Sequence, residues 1–392
     1  MAIKFCFGKG FYELDIKSDY SLLGKDFKGK EVDLREIFSN VSIQGKKIGL
    51  ILPDTTRPLP AKEILSEIYP KISDKNITIF IGTGTHRNPT EEELKNYLGD
   101  FREKFKIVIN DSKSSVKYQK IGLTERGTEV EILKEILAQD QIIAFTVVRP
   151  HYYAGFSGGR KIFIPGVSSY KTIQQNHRLV LDPDPKKGKN PYAVLAYLEK
   201  NPVHLDMMDV LKLVPLPCTF LNFVIFNKKI VYFSKDFFEA VCFVKENFQL
   251  EVKEKFDTLI ISAGGFPFDT NFIQGHKALE HSIGALKEGG KIFAYIEAKE
   301  GFGSKDCIDF LKIGSIEGIT EKLREDFKVY GHTALTILMK AKRFEVNLCT
   351  ALSDEDLKLM GYKRWDGKTL PENLGKAGVI EQASLYYIPQ RI

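Results

Sequence analysis

The stretch Lys47-Ile-Gly-Leu-Ile-Leu-Pro-Asp-Thr-Thr-Arg-Pro-Leu-Pro60 decides how the rest of the chain is read. It opens on an unbroken apolar run, Ile48 to Leu52, too short for a helix and closed by proline, so it reads as a strand buried on both faces. A helical pattern over Ala61–Tyr69 follows at once. The alternation then recurs. Ile77–Ile81, Phe105–Ile109 and Ile142–Val148 read as further strands, and Glu91–Tyr97 reads as a helix that Thr90 and Glu93 open with a capping box. Strands alternating with helices predict an α/β fold.

A second rhythm begins near Glu251. Phe256–Ile261 reads as a buried strand, Ala263–Gly265 as a turn and Asn271–Leu286 as a helix; Gly289 and Gly290 lead into a strand over Lys291–Ile296, and Glu345–Cys349 gives another. A chain of 392 residues is too long for one ordinary core, so we expect two domains, 1–250 and 251–392.

Composition narrows the class. Hydrophobic residues at 43% and charged residues at 28% are ordinary for a folded protein. Cys6, Cys218, Cys242, Cys307 and Cys349 are scattered with no C-x-x-C pair, which argues against a disulfide framework or a zinc ribbon and fits a reducing compartment. Met1–Lys9 lacks the apolar core of a signal peptide, and no run reaches the roughly 18 apolar residues of a membrane span, so a cytoplasmic location is expected. The net charge of +6 comes from dispersed lysines, and Lys186-Lys-Gly-Lys189 reads as a solvated loop, so neither nucleic acid nor membrane is an expected partner.

The polar residues that stand out fall just after predicted strands. Asp54, Thr55, Thr56 and Arg57 follow the first, His86 in Gly82-Thr-Gly-Thr-His-Arg87 follows the second, and His151 in Arg149-Pro-His-Tyr-Tyr-Ala-Gly-Phe-Ser-Gly-Gly-Arg-Lys161 follows the fourth. Open α/β sheets bind ligands outside the carboxyl ends of their strands, so these segments are expected to meet in one crevice. Hydroxyls, backbone amides and a guanidinium on a proline-stiffened loop can hold a phosphate or a carboxylate. Gly82 and Gly84 would let backbone approach a ligand closely. The ordinary nucleotide motifs are absent: Arg87 stands where a dinucleotide fingerprint needs its third glycine, and Ile162 where a P-loop needs Ser or Thr. His177 falls on a helix that Ser168 or Ser169 would cap, with no neighbouring metal-binding side chain. It is either structural or a ligand whose companions come from elsewhere, a cofactor included. Gln274 and Lys277, three apart, share a helix face that suits either a carboxylate or solvent.

Asp54-Thr-Thr-Arg-Pro58, Gly84-Thr-His-Arg87, Pro150-His-Tyr-Tyr-Ala-Gly-Phe-Ser-Gly-Gly-Arg-Lys161, Pro165-Gly-Val, Asn176-His177, Asn201-Pro-Val-His204, Gly264-Gly-Phe-Pro, Asp269 and Gln274-Gly-His-Lys277 together resemble the nickel-pincer-nucleotide-dependent lactate racemases, over nearly the whole chain. The resemblance implies a racemase or epimerase of a small 2-hydroxy acid, with a two-domain α/β fold and an active site in the interdomain cleft. Residues 1–250 would carry the cofactor and the catalytic histidines, and 251–392 would contribute substrate-binding residues. It implies nickel held in a pyridinium-3,5-bisthiocarboxylic acid mononucleotide, covalently tethered at Lys161, with His177 as the protein's ligand to the metal. His86 and His151 match the acid/base pair; Asp54, Thr55, Thr56 and Arg57 match a cofactor-contacting loop; Arg57, Gln274 and Lys277 match substrate-binding positions. Transient contact with proteins that make the cofactor and insert nickel is implied as well. Two departures stand: Asn110-Asp111 lacks a histidine that this stretch has in the family, and Trp365, the only tryptophan, lies where the match is poorest.

The chemistry accords with that expectation. The α-hydrogen of a 2-hydroxy carboxylate is barely acidic, because the neighbouring carboxylate is already negative. Reversible transfer of that hydrogen as hydride to the cofactor, while a base takes the hydroxyl proton, gives a neutral ketone that can be reduced on its other face. Two histidines, with ordinary pKa values of about 6.5, suit proton transfer near neutral pH. The competing readings are a 2-hydroxyacid oxidoreductase using another cofactor, disfavoured by the missing fingerprint, and a non-enzymatic carrier of the pincer cofactor, which would need no substrate machinery.

Overall fold

The computed structural model describes residues 2–184 and 187–390. Lys186, part of the basic run noted above, lies outside them. Among the described residues the chain forms two six-stranded sheets and three small two-stranded ribbons, the two-domain α/β architecture expected from the alternating pattern.

In the first sheet the strands lie in the order Lys229–Ser234, Cys218–Phe226, Gln141–Val147, Lys47–Pro53, Asn76–Gly82, Lys106–Ile109. All pair in parallel except the edge strand Lys229–Ser234. Lys47–Pro53 sits inside the sheet, the next two strands add on one side of it, and the chain then crosses back to place Gln141–Val147 on the other. The carboxyl ends of Lys47–Pro53 and Gln141–Val147 therefore flank a topological switch point, where connecting loops part and leave a crevice. Every residue of Gln141–Val147 is buried, as a central strand covered on both faces must be.

The second sheet runs Lys363–Arg364, Glu345–Cys349, Leu286–Tyr295, Phe256–Ser262, Ala377–Ile380, Tyr20–Leu22, all parallel. Its last member comes from the start of the chain. Ile3–Phe7 and Gly10–Leu14 form a hairpin whose Phe5 and Leu14 pack with Ile260, Tyr295 and Trp365. A simple division at residue 250 thus leaves the opening strands with the C-terminal sheet. Trp365 belongs to that packing: it lies against Phe293 and Tyr295 and donates its indole N–H to the Thr369 carbonyl.

Element edges fall close to those read from sequence, with instructive differences. Helix Ala61–Ile72 continues through Pro70 because Ile68 and Ile72 both reach the core, and one missing N–H in a last turn is tolerated. The capping box of Thr90 and Glu93 is present, and Ser169 rather than Ser168 caps the helix Tyr170–Arg178. The single helix expected over Asn271–Leu286 is instead Phe272–Ser282 followed by a tight turn, Ile283–Ala285. Gly284 lies so close to the Ile388 and Pro389 carbonyls that an added Cβ would come within 2.5 Å of the first. Strand Leu286–Tyr295 begins earlier than expected, with Gly289 at φ 73° near a register shift against Phe256–Ser262.

One large apolar cluster spans both halves, from Ile51 and Ala144 in the first sheet to Leu259 and Ile292 in the second. Within the second half, buried Glu280 on Phe272–Ser282 pairs with buried Lys340 on Gly331–Arg343. Deleting one member of such a pair strands the other charge. We expect Lys340→Met to cost about 3–5 kcal/mol in urea unfolding, and Glu280→Leu combined with Lys340→Met to recover most of that loss.

Candidate active site

One cavity opens at the switch point of the first sheet and is walled on its far side by the second half. Its lining includes Asp54, Arg57, His86, His151, Lys161 and His177 from the first half, and Gln274, Lys277, Tyr330 and His332 from the second. Residues for which the sequence raised catalytic, tethering, metal-binding and substrate-binding roles therefore line one space. Thr55 and Thr56 are not among the lining residues. The Thr56 amide and hydroxyl both donate to Asp54 Oδ1, so that hydroxyl is engaged within its own loop.

Each side chain is held by local chemistry. Asp54 is buried, and its Oδ2 meets His86 Nδ1 at 3.0 Å. Burial acts to raise the Asp54 pKa, but the His86 ring, the Arg57 charge and the Thr56 hydrogen bond outweigh it and hold the carboxyl well below the usual range. Asp54 thereby fixes the His86 ring with Nδ1–H toward the carboxylate and leaves Nε2 for the cavity. The glycines Gly82 and Gly84 serve close packing of the protein on itself. A Cβ on Gly82 would sit 3.3 Å from Gly166 Cα, and one on Gly84 would sit 2.9 Å from Pro165 Cβ. The segment Pro165–Gly166 thus occupies the close approach that the sequence suggests for a ligand.

His151 lies at the mouth of a short hairpin, paired across from Gly155. Its ring stacks on Tyr152 at 5.3 Å and meets the edge of Tyr153 at 4.5 Å. Burial, then the charges of Lys161, Lys277 and Arg57, push its pKa well below the ordinary value, so the ring is neutral. Gly158 and Gly159, both at positive φ, turn the chain into the single helical turn Gly159–Ile162 that carries Lys161. Burial and the neighbouring cations Arg160, Arg57 and Lys277 lower the Lys161 pKa. His177 is 2% exposed, on the helix Tyr170–Arg178, with Nδ1 facing Asn176 Oδ1 at 3.0 Å. In the second half, Asn271 caps the helix that presents Gln274 and Lys277, and Lys277 donates to Gln274 Oε1.

Charge is the dominant feature. Among the described lining residues Arg57, Lys161 and Lys277 are cations, and Asp54 is the one carboxylate. Neither the Arg57 guanidinium nor the Lys161 side-chain amine donates a hydrogen bond to a described residue, and burial together with Arg57 and Arg149 depresses the Lys277 pKa. A half-buried, positively unbalanced site of this kind is built for an anion.

The sequence reading passed over Tyr152, Tyr153, Tyr330 and His332. His332 is buried, and its Nε2 meets the Tyr152 hydroxyl at 3.1 Å, a hydroxyl also 3.1 Å from Thr333 Oγ1. The available signal was the string Tyr330-Gly-His-Thr333 at the head of a helix, which resembles Gly84-Thr-His but follows no strand. Asn201, from the Asn-Pro-Val-His string, supports the hairpin by donating to the Tyr153 carbonyl at 2.8 Å. Asp269 accepts the Gly8 amide at 2.8 Å and so anchors the opening hairpin. Asn110 accepts the Tyr118 hydroxyl away from the cavity.

An α/β chain with an imidazole-rich, anion-collecting cavity at a sheet switch point is the class defined so far, and comparison with known proteins narrows it. Residues 33–188 match the family described as the lactate racemase N-terminal domain. The chain is 36% identical over 281 residues to lactate racemase of Thermoanaerobacterium thermosaccharolyticum, covering 69% of this chain and 64% of the relative. It is 33% identical over 268 residues to lactate racemase of Lactiplantibacillus plantarum, covering 66% and 62%. The chain thus spans a little under two thirds of the length of these two relatives. In structure it is similar to the lactate racemase apoprotein of T. thermosaccharolyticum, with a TM-score of 0.84 at 27% identity, covering 99% of this chain and all of that one. A Thermotoga maritima protein shares the fold, with a TM-score of 0.69 at 16% identity over 91% of this chain and 96% of that one. Residues 33–188 thus belong with the lactate racemase N-terminal domain, and the whole chain shares the fold of the lactate racemase apoprotein.

The depressed carboxyl of Asp54 carries a stability signature. A carboxyl whose folded pKa is lowered contributes stability above its unfolded value of about 3.9 and loses it as pH falls toward the folded value. Asp54→Asn should therefore cost on the order of 2 kcal/mol at neutral pH, and the gap from the parent should narrow steadily below about pH 4. Urea unfolding across that range checks the sign.

Proposed function

We propose that this chain racemises or epimerises a small 2-hydroxy acid, lactate or a close relative. The observation that carries the reading is the convergence of His86 and His151, with Arg57, Lys161 and Lys277, on one cavity in which Asp54 is the lining carboxylate among the described residues. Similarity to the lactate racemases supports it. In this reading residues 1–250 carry the cofactor and the acid/base pair, and 251–392 supply substrate recognition.

Arg57 from one wall and Lys277 with Gln274 from the other take the substrate carboxylate, which leaves the hydroxyl and the α-carbon between the imidazoles. His86, with Nδ1–H anchored on Asp54, accepts the hydroxyl proton at Nε2, and the Asp54 carboxylate stabilises the resulting imidazolium. His151 is neutral and is the corresponding base for the opposite enantiomer. Each residue returns a proton to the substrate hand that the other deprotonates.

The residues also fit the nickel-pincer nucleotide implied by the sequence. His177 is a buried imidazole whose remote nitrogen is already hydrogen-bonded, so the other is available to a metal. Among the described residues no group of three or more His, Cys, Asp or Glu side chains could hold a metal, so a metal at His177 would draw its further donors from the nucleotide. Lys161, an amine disposed to be neutral, is a suitable nucleophile for the covalent link. The chemistry the group supplies when bound is that of a two-electron acceptor for the α-hydrogen. Acylating the Lys161 nitrogen would also remove whatever positive charge it retains, one of the lesser influences that hold the His151 pKa down beside burial.

A cytoplasmic setting accords with five unpaired cysteines and with the absence, among the described residues, of a helix long and apolar enough to cross a membrane. Loading would require transient contact with the proteins that make the cofactor and insert nickel.

Protein made in cells that synthesise the cofactor provides the test. Peptide mass mapping should place the adduct on Lys161, and His177→Ala should retain the fold and lose nickel; an adduct on a different lysine, or full nickel in that variant, refutes these assignments.

With each pure enantiomer, His86→Ala and His151→Ala should each slow interconversion in both directions by roughly 10²–10⁴-fold. Formation of keto acid should survive with one enantiomer in the first variant and with the other enantiomer in the second. If both variants lose the reaction of the same enantiomer and keep that of the other, the two-sided arrangement is wrong.

A further inference from the structure

The ring of His177 is set by a hydrogen-bond chain that runs away from the cavity. Nδ1 of His177 faces Asn176 Oδ1 at 3.0 Å. Asn176 Nδ2 donates to the Val203 carbonyl at 3.2 Å and to Asp206 Oδ2 at 2.8 Å. Both hydrogens of the amide thus meet acceptors, and turning the amide over would press its oxygen against a carboxylate and a carbonyl. The amide oxygen is therefore held toward His177, where only the tautomer with hydrogen on Nδ1 can donate to it. Nε2 keeps its lone pair, makes no hydrogen bond to a described residue, and belongs to a ring that lines the cavity.

Asp206 is the fixed end of the chain. It has no exposed surface, and it accepts the Thr124 hydroxyl on Oδ1 at 2.5 Å and the Thr128 hydroxyl on Oδ2 at 2.8 Å. The threonines come from the turn between strands Tyr118–Leu123 and Glu129–Leu133, Asp206 from helix Pro202–Leu213, and Asn176 from helix Tyr170–Arg178. Three separate elements thus converge on the orientation of one amide.

We propose that Asp206 is a positioning residue: acting through Asn176, it selects the tautomer of His177 and makes Nε2 the lone pair offered to a metal. The proposal rests on reading His177 as the protein's ligand to nickel. Metal-binding histidines are commonly anchored through their remote N–H by a carboxylate, a carbonyl or water. Here an amide takes that place, and a carboxylate one step further out keeps the amide from turning. A purely structural Asp206, tying the turn to the two helices, would affect stability and leave the tautomer unchanged.

Nitrogen-15 NMR of the histidine rings in the ligand-free chain reads the tautomer directly. The parent should show His177 protonated on Nδ1 alone. Asp206→Ala should bring in the Nε2–H form at on the order of 10% or more, and nickel retention by the holoenzyme should weaken about tenfold or more. Asp206→Asn can still offer an oxygen to Asn176 and should behave as the parent does. If Asp206→Ala does not fold, Asp206→Ser serves: it keeps a polar group in the buried space, but its hydroxyl ends one bond short of the carboxylate oxygens that Asn176 and the threonines meet. A parent with the proton on Nε2 overturns the proposal. So does a folded variant with unchanged tautomer, or one with altered tautomer and undiminished nickel. Absence of racemisation, or of nickel, in the parent holoenzyme would instead count against the proposed function, and the ligand-free tautomer measurement would stand apart from it.

Discussion

The site depends on where the chain turns back within its first sheet. Lys47–Pro53 is laid down first, Asn76–Gly82 and Lys106–Ile109 extend one side, and Gln141–Val147 must cross to the other. Loops leaving the two flanking strands diverge, and the cavity lies in the gap between them. Asp54 and Arg57 leave from one lip; Arg149 through Lys161 leave from the other. His86 follows the neighbouring strand and leans back onto Asp54. Asp54, Arg57, His86 and His151 are thus within a few residues of a strand's carboxyl end, where buried backbone fixes their origin, while His177 is brought in by the helix Tyr170–Arg178.

That placement has an electrostatic consequence. Three cations in a half-buried space with one carboxylate would ordinarily be unfavourable, and the chain accommodates them in different ways. Asp54 is held ionised by the imidazole and guanidinium beside it, while Lys161 and Lys277 have their charged forms disfavoured by burial and by neighbouring cations, Arg57 among them. His151 bears the same influence and stays neutral. The ligand-free site is therefore poised: an entering carboxylate or phosphate satisfies charges that the protein leaves unmatched, and a neutral molecule of the same size gains nothing comparable.

Much of this was legible in the sequence because it is local. A buried strand is a short apolar run, its end is marked by proline or glycine, and a histidine or arginine just beyond is exposed to whatever binds there. Asp54, Arg57, His86, His151 and Lys161 follow from that pattern, while His177, Gln274 and Lys277 needed the family resemblance to separate them from ordinary helix residues. What escaped was non-local. Tyr20–Leu22 pairs with Ala377–Val379, a contact that no local periodicity announces. His332 and Tyr330 sit at the start of a helix rather than the end of a strand, so nothing in their neighbourhood marked them, and they reach the cavity only because the second half packs over it. Gly82 and Gly84 were recognised as sites of close approach, but the approaching group is the protein's own Pro165–Gly166 segment, since a missing Cβ does not say which backbone comes near. Thr56 was read as a donor to a ligand, yet a hydroxyl two residues from a carboxylate satisfies that carboxylate first.

The second half also explains how recognition and closure are joined. Gln274 and Lys277 lie one helical turn apart, so any shift of helix Phe272–Ser282 moves both together. Across the cavity stands Arg57, whose charge, without an anion between them, disfavours that of Lys277. On the proposed reading a carboxylate between them turns that repulsion into two attractions, so binding and apposition of the two walls are linked: whatever brings Lys277 toward Arg57 strengthens the hold on the carboxylate, and the carboxylate in turn favours that approach. The continuous apolar core beneath limits how far the walls can part, and the Tyr152–His332 hydrogen bond makes the hairpin bearing His151 part of the same junction. Setting the carboxylate across the seam, with the proton-transferring histidines on one side of it, ties the position of the α-carbon to the closed arrangement of the walls. A ligand without the carboxylate would leave the two cations opposed and the seam unsupported, so on the proposed reading selection for a carboxylate arises from the junction itself as well as from contacts to the hydroxyl.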